Sequence, residues 1–174
     1  LKREGHALYH VGEVRDEMGG SHWFLVAGGE STQVPIAHIP TTKKYAEAVV
    51  TAIEKGLVAA AHDVGMGGLG VALAEMCLGG DIGADVDLSV QRAGTHALPA
   101  DVRLFSESNT RWLLEANDAA ALEAHFRAAG VPMQRIGHVG GSAIRIADGD
   151  RTLVDVPVAT ARREFTEAMH RRMG

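Results

Sequence analysis

Apolar residues recur every four positions from Tyr45 through Val49 and Ile53 to Leu57, which predicts a helix over residues 41–57 entered after Pro40, with two threonines suited to capping. Leu69, Ala72, Leu73, Met76 and Cys77 form a second stripe, predicting a helix over residues 68–78 that Gly79-Gly80 ends. Asn117 and Asp118 are suited to cap a third helix, which carries Leu122, Phe126 and Ala129 inward and stops at Gly130. A last helix follows Pro157, with Arg162, Arg163, Arg171 and Arg172 on its wet face. Strand-like runs lie at residues 6–14 and 22–27, and the turn-prone 16–21 between them suggests a hairpin. Further strands are expected at 84–88, 111–116, 134–139, 143–147 and 151–156, the last two joined through Asp148-Gly149-Asp150. Residues 91–101 read as irregular. Helices and strands mix without strict β-α-β alternation, and no low-complexity linker or short repeat interrupts them, so a single α+β domain over 1–174 is expected.

Composition narrows the function classes. The 174 residues are 46% hydrophobic, enough for a sizeable core and too apolar for disorder. The net charge of −5 is mild and no long basic run exists to neutralise successive phosphates, so nucleic acid is not an expected partner. The apolar stretches around 46–53 and 71–77 are too short and interrupted to span a bilayer, so no membrane partner is expected. The single cysteine, Cys77, excludes an internal disulfide framework, fits a reducing compartment and makes the cytoplasm the expected location. Without an initiator methionine or a signal-like start, Leu1 is expected to lie inside a longer polypeptide.

Two segments break the core pattern. The first, His62 to Glu75, reads HDVGMGGLGVALAE: an acid, a glycine cluster and a helix start. Glycines permit sharp turns and close approach to a ligand, and helix-start amides favour a carboxylate or phosphate. Asp63, Gly67 and Gly68 are therefore candidate binding residues, with Asp63 as a plain helix cap and the glycines as packing contacts the competing reading. Gly65 to Gly70 also satisfies GxGxxG, with Asp85 about twenty residues on. A dinucleotide fingerprint needs a buried strand directly ahead of it, where this sequence reads as a helix end, an alanine run and the polar pair His62-Asp63. The second segment, Leu104 to Arg111, reads LFSESNTR. Ser106, Ser108, Asn109 and Thr110 are hydrogen-bonders suited to ribose, amide or phosphate groups, and Glu107 can accept hydrogen bonds or pair with Arg111. An ordinary polar turn is the alternative. The nine histidines lack the spacing of zinc ligands, Cys77 lies on an apolar stripe as a core thiol, and Asp85 and Asp87 suit a solvated strand face better than a metal site.

Taken in order, Tyr9-His10-Val11-Gly12, Arg15-Asp16-Glu17, Gly19-Gly20-Ser21, Gly56-Leu57-Val58, Ala61-His62-Asp63-Val64, Gly67-Gly68-Leu69, Ala72 to Met76, Leu104 to Ser108 and Arg135-Ile136-Gly137 resemble the C-terminal-type domain of formylglycinamidine ribonucleotide synthetases. These belong to the superfamily of aminoimidazole ribonucleotide synthetase, whose other members carry different signatures at the glycine segment. The resemblance implies a mixed, largely antiparallel sheet covered by helices, partly ferredoxin-like in topology. It implies one domain of a large ligase with two tandem halves, which uses ATP and Mg2+ to activate the amide of formylglycinamide ribonucleotide for attack by ammonia in purine biosynthesis. The implied partners are the nucleotide-binding domains of the same synthetase, a glutaminase domain or subunit, and the small ribonucleotide substrate. Ser106, Glu107, Ser108, Arg111, Asp63, Gly67 and Gly68 are the implied substrate- or nucleotide-binding residues, with no catalytic group and no metal ligand among them. His62-Asp63-Val64 and Ala72 to Met76 are more similar to the second-half copy, whereas Gly65-Met66 departs from the Ser-Asp common there. A non-catalytic nucleotide-binding or dimerisation module, and more distantly a dinucleotide-dependent oxidoreductase, are the competing readings.

Overall fold

The computed structural model describes residues 1–91 and 98–173. Its elements run β1 (Ala7–Val11), α1 (His22–Ala27), α2 (Ile39–Glu54), β2 (Val58–Asp63), α3 (Gly68–Gly80), β3 (Ala84–Asp87), α4 (Ala100–Phe105), β4 (Trp112–Ala116), α5 (Ala119–Ala129), β5 (Met133–Val139), β6 (Ala143–Asp148), β7 (Arg151–Pro157) and α6 (Val158–Met173), with a short 3-10 turn at Leu88–Val90. The strands form one seven-stranded sheet in the order β2-β4-β1-β5-β3-β6-β7. Every pairing is antiparallel except β3 with β6. The α+β, mixed and largely antiparallel architecture is the one expected.

Within this sheet, β1-α2-β2 and β4-α5-β5 make two βαβ units whose strands interleave as β5-β1-β4-β2, the split arrangement of a ferredoxin-like half. The segment α3-β3-α4 is inserted between those units, and β6, β7 and α6 extend the sheet beyond it. Helices α2 and α5 cover one face of the ferredoxin-like half, where Tyr9, Val11, Leu114, Leu122 and Phe126 pack. Helix α3 covers the opposite face with Leu69, Leu73, Met76 and Cys77 against Leu8, Val86, Leu113, Ile136 and Ile144. Cys77 is a buried core thiol whose pKa burial pushes up to about 11, so it is not a nucleophile at neutral pH. Among the described residues no helix is long and apolar enough to cross a membrane.

Several expectations shift. Residues 22–27 form helix α1 and not a strand, so no hairpin joins them to β1, whose partners are β4 and β5. The local run His-Trp-Phe-Leu-Val-Ala is β-prone, but tertiary contacts decide: Trp23 stacks on Phe105 with ring centroids 4.3 Å apart, and the His22 amide is held by Glu107. The segment before the glycine cluster is a strand, β2, running up to Asp63. The expected helix end is a strand instead, because the alanine run is too weakly patterned to distinguish the two states. A dinucleotide unit is nonetheless absent among the described residues. Strand β2 pairs only with β4, antiparallel, and β3 lies four places along the sheet, so no adjacent parallel β-α-β pair brackets the glycines. Asp85, the would-be ribose ligand, faces Arg145 at 3.6 Å and His138 at 3.8 Å. Helix α2 starts at Ile39 with Pro40 in its first turn and buries Ala48, Val49 and Ala52, leaving Ile53 half exposed. Its threonines do not cap it; Thr42 Oγ1 instead meets Thr110 Oγ1 at 2.7 Å. The expected irregular stretch 91–101 lies mostly outside the described residues, and its end begins α4. On α6, Arg162 is not simply solvated: it donates to Leu78 O at 2.7 Å and Asp81 at 2.8 Å, tying the last helix to the end of α3.

Candidate functional site

The Ser-Glu-Ser segment joins α4 to β4. At its far end Thr110 takes φ +67, a left-handed conformation unusual for a β-branched residue, which reverses the chain into the strand. Ser106 and Ser108 are buried. Ser106 Oγ donates to Arg15 O at 2.8 Å and lies 2.8 Å from Ser108 Oγ, while the Arg15 amide donates to Ser108 Oγ at 3.3 Å. The two hydroxyls therefore stitch the segment to the loop after β1.

Arg111, at 1% exposure, anchors the segment from beneath. Its Nε donates to Ser108 O at 2.9 Å and its Nη2 to Ser106 O. Burial lowers the guanidinium pKa to about 10, against the opposing charges of Glu17 and Glu107, so it stays protonated at neutral pH. Arg111 Nη1, Glu17 Oε2, Ser21 Oγ and His10 Nε2 are buried without a hydrogen-bond partner among the described residues, and Glu17 and His10 both feel the Arg111 charge. His10 is held neutral: burial and then the Arg111 charge drive its pKa down to about 3.

Glu107 points the other way, toward helix starts. One carboxylate oxygen accepts from the Gly67 amide at 2.8 Å and the His22 amide at 2.9 Å, and lies 3.2 Å from His22 Nδ1. Burial alone would raise its pKa, but these donors together bring it below the ordinary glutamate value. The glycine segment thus presents an anion-accepting amide, as its composition suggested, and the anion on it is Glu107.

Gly67 and Gly68 both take positive φ, +78 and +67. A Cβ on Gly68 would sit 2.6 Å from Leu104 O and 2.7 Å from Phe105 Cα, so this glycine lets α3 pack against the end of α4. Its amide donates to Gly65 O at 3.0 Å. Asp63 ends β2 with its side chain 83% exposed, and its carboxylate accepts no hydrogen bond among the described residues; it does not cap α3, whose start is Gly67. Ser106, Glu107, Ser108, Arg111, Gly67 and Gly68 therefore meet at one place, with Asp63 in solvent at its margin. Arg15, Glu17, His22 and His10 join the cluster without having been singled out as ligand candidates. They sit in a loop and at strand and helix ends where periodicity is silent; the runs Tyr9-His10-Val11-Gly12 and Arg15-Asp16-Glu17 are the signals that touch His10, Arg15 and Glu17, and none touches His22.

No group of three or more His, Cys, Asp or Glu side chains able to hold a metal is present among the described residues. The bonded oxygen of Glu107 faces N–H donors, a geometry unsuited to a cation. These residues do not fit a magnesium ion.

This fold and constellation define a class. Residues 3–148 match the family described as AIR synthase related protein, C-terminal domain, and the chain belongs to that family. Among its relatives, the phosphoribosylformylglycinamidine synthase subunit PurL of Methanocaldococcus jannaschii is 33% identical over 173 residues, covering 99% of this chain and 23% of that protein. The same subunit of Zymomonas mobilis subsp. mobilis is 34% identical over 146 residues, covering 83% of this chain and 19% of that protein. The chain thus spans about a fifth to a quarter of these relatives' length. Among solved structures, Thermotoga maritima PurL complexed with FGAR superposes with TM-score 0.81 at 22% identity, covering 93% of this chain and 28% of that one. A thiamine-monophosphate kinase from Stenotrophomonas maltophilia superposes with TM-score 0.58 at 16% identity, covering 83% and 51%.

Proposed function

We propose that this chain is a single C-terminal-type domain, residues 1–174, of a phosphoribosylformylglycinamidine synthase, the ligase that makes formylglycinamidine ribonucleotide from its formylglycinamide precursor with ATP and ammonia. The observation that carries the reading is the sequence match to subunit PurL over 99% of the chain. The same-named structures solved with FGAR and with ATP support a ribonucleotide substrate and ATP for the complete enzyme. ATP and Mg2+ would be held chiefly by the nucleotide-binding domains of the same synthetase. A glutaminase domain or subunit would supply ammonia, and the cytoplasm is the location that fits.

In this reading Glu107 and the exposed Asp63 border a preset binding surface that the buried Ser106, Ser108, Arg111, Gly67 and Gly68 hold in shape from behind, and none of them supplies a general acid, base or nucleophile. Arg111 fixes the two serine carbonyls, and Glu107 fixes the starts of α1 and α3, so the surface needs little ordering when a neighbouring domain or ribonucleotide meets it. The internal bonding of these groups also favours a second reading, a non-catalytic module in the second half of the synthetase. Glu107→Ala in the complete polypeptide separates the two. A loss of ribonucleotide-dependent turnover, with melting unchanged beyond a few degrees, supports the binding surface; full turnover supports the module.

A further inference from the structure

The α5–β5 side of the ferredoxin-like half, on a different face of the sheet from α3, holds a cleft of about 340 Å³ that the synthetase reading does not use. Its floor is built from the buried rings of Tyr9 and Phe126, and its wall includes Met133. Tyr9 and Arg135 are cross-strand partners on β1 and β5, which sets the arginine beside the phenol. Arg127 lies one helical turn after Glu123 on α5, where an acid–base pair would be the ordinary outcome. Here the acid is already taken: the Tyr9 hydroxyl donates to Glu123 Oε1 at 2.6 Å. Neither Arg127 nor Arg135 has an acidic partner among the salt bridges of the described residues. Two guanidinium groups thus border an aromatic floor, inside the volume range of small-molecule pockets.

We propose that this cleft binds a small organic phosphate, its phosphoryl oxygens between Arg127 and Arg135 and its apolar body on Phe126 and Met133. Planar guanidinium forks match tetrahedral oxyanions bidentately, and the partly exposed Pro132 and Met133, with the buried Phe126 in the same lining, offer the apolar surface that free phosphate would leave unused. Glu123 repels an anion, and its bond from the Tyr9 hydroxyl holds one of its oxygens in place at the cleft. The cleft is therefore selective for a ligand whose charge sits toward the arginines and whose body covers the ring floor.

The test is titration of the full chain by two-dimensional NMR with phenyl phosphate, inorganic phosphate and benzyl alcohol in parallel. Phenyl phosphate is expected to shift resonances of Tyr9, Phe126 and Met133 saturably at low-millimolar concentration, binding about tenfold more tightly than phosphate, with benzyl alcohol weaker still. Arg135→Ala and Arg127→Ala, both exposed and removable without opening the core, should each weaken phenyl phosphate by about tenfold while thermal melting stays unchanged. Absence of saturation by about 20 mM phenyl phosphate, equal affinity for phosphate and phenyl phosphate, or affinity that survives the Arg127→Ala/Arg135→Ala double variant would each overturn the site.

Discussion

Replacing Arg111 by methionine removes the anchor of the Ser-Glu-Ser segment while keeping most of the side-chain volume. Arg111 is 1% exposed, and its guanidinium makes two hydrogen bonds to carbonyl oxygens, those of Ser106 and Ser108. Bonds from a charged donor contribute about 1.5–3 kcal/mol each. Their loss also strips the nearby Glu17 carboxylate, itself buried, of its opposing charge, and breaking a buried ionic interaction from one side costs about 3–5 kcal/mol. Against these stands the desolvation relieved when the guanidinium is deleted, which its lowered pKa shows to be substantial. The net expectation is a loss of about 3 kcal/mol, or roughly 6–12 °C in melting temperature for a chain of this size. Arg111→Lys keeps the charge but not the fork and should cost about half as much. Urea unfolding followed by circular dichroism measures both, and amide NMR shifts of residues 106–108 report the segment itself. An Arg111→Met protein within about 0.5 kcal/mol of the parent, with those shifts unmoved, would refute the anchoring role.

Three further outcomes follow from the same structure. Gly68→Ala places a methyl group against Leu104 O in a left-handed backbone and should cost about 2–4 kcal/mol, whereas Gly79→Ala, with open space at its Cβ, should be near neutral or slightly stabilising; equal effects in urea unfolding would contradict the packing role of Gly68. His10 titrates near 6.5 when unfolded and near 3 when folded, so the unfolded chain binds the extra proton between those values and stability falls as pH drops through that window, by up to about 1.4 kcal/mol per unit. His10→Asn should flatten the pH dependence measured between about pH 7 and pH 4.5, and a slope unchanged from the parent would remove His10 as its source. Glu115 is fully buried and accepts the Lys2 amide at 2.7 Å, the Arg3 amide at 3.0 Å and a contact from His6 Nδ1 at 2.8 Å, so Glu115→Ala should cost about 3 kcal/mol and raise hydrogen exchange at residues 2–6; unchanged exchange there would show the amino-terminal strap to be held by other contacts.

What was legible in the sequence was set by residues whose local preference agrees with their tertiary place. Asp118 caps α5, accepting from the Ala121 amide at 3.0 Å, and Gly130 ends that helix in a left-handed turn, both as the residue types demand. The α3 stripe of Leu69, Ala72, Leu73, Met76 and Cys77 is buried as spaced. Strands β5 to β7 fall within a residue or so of their expected bounds. The failures arise where distant residues decide. Residues 22–27 are helical because Glu107, more than eighty positions on, holds the first amide. Strand β2 was hidden because alanine carries neither period, and its pairing with β4 is fixed only when the ferredoxin-like half closes.

The candidate site divides the same way. Polar residues interrupting an apolar context marked Ser106 to Arg111, and helix-start glycines marked Gly67 and Gly68, but the direction of each group was not written locally. Glu107 and Arg111 were natural partners by sequence, yet Glu107 bonds two helix starts while Arg111 turns back on the serine carbonyls. The amide read as awaiting a ligand is occupied by the protein's own carboxylate, which no spacing rule reveals.

The measurement that bears most directly on the central claim is ADP release by the complete polypeptide containing this chain, supplied with ATP, magnesium, ammonia and formylglycinamide ribonucleotide. Release that depends on the ribonucleotide is expected, with none from residues 1–174 alone. Release that is absent, or indifferent to the ribonucleotide, would contradict the assignment of this domain to the synthase.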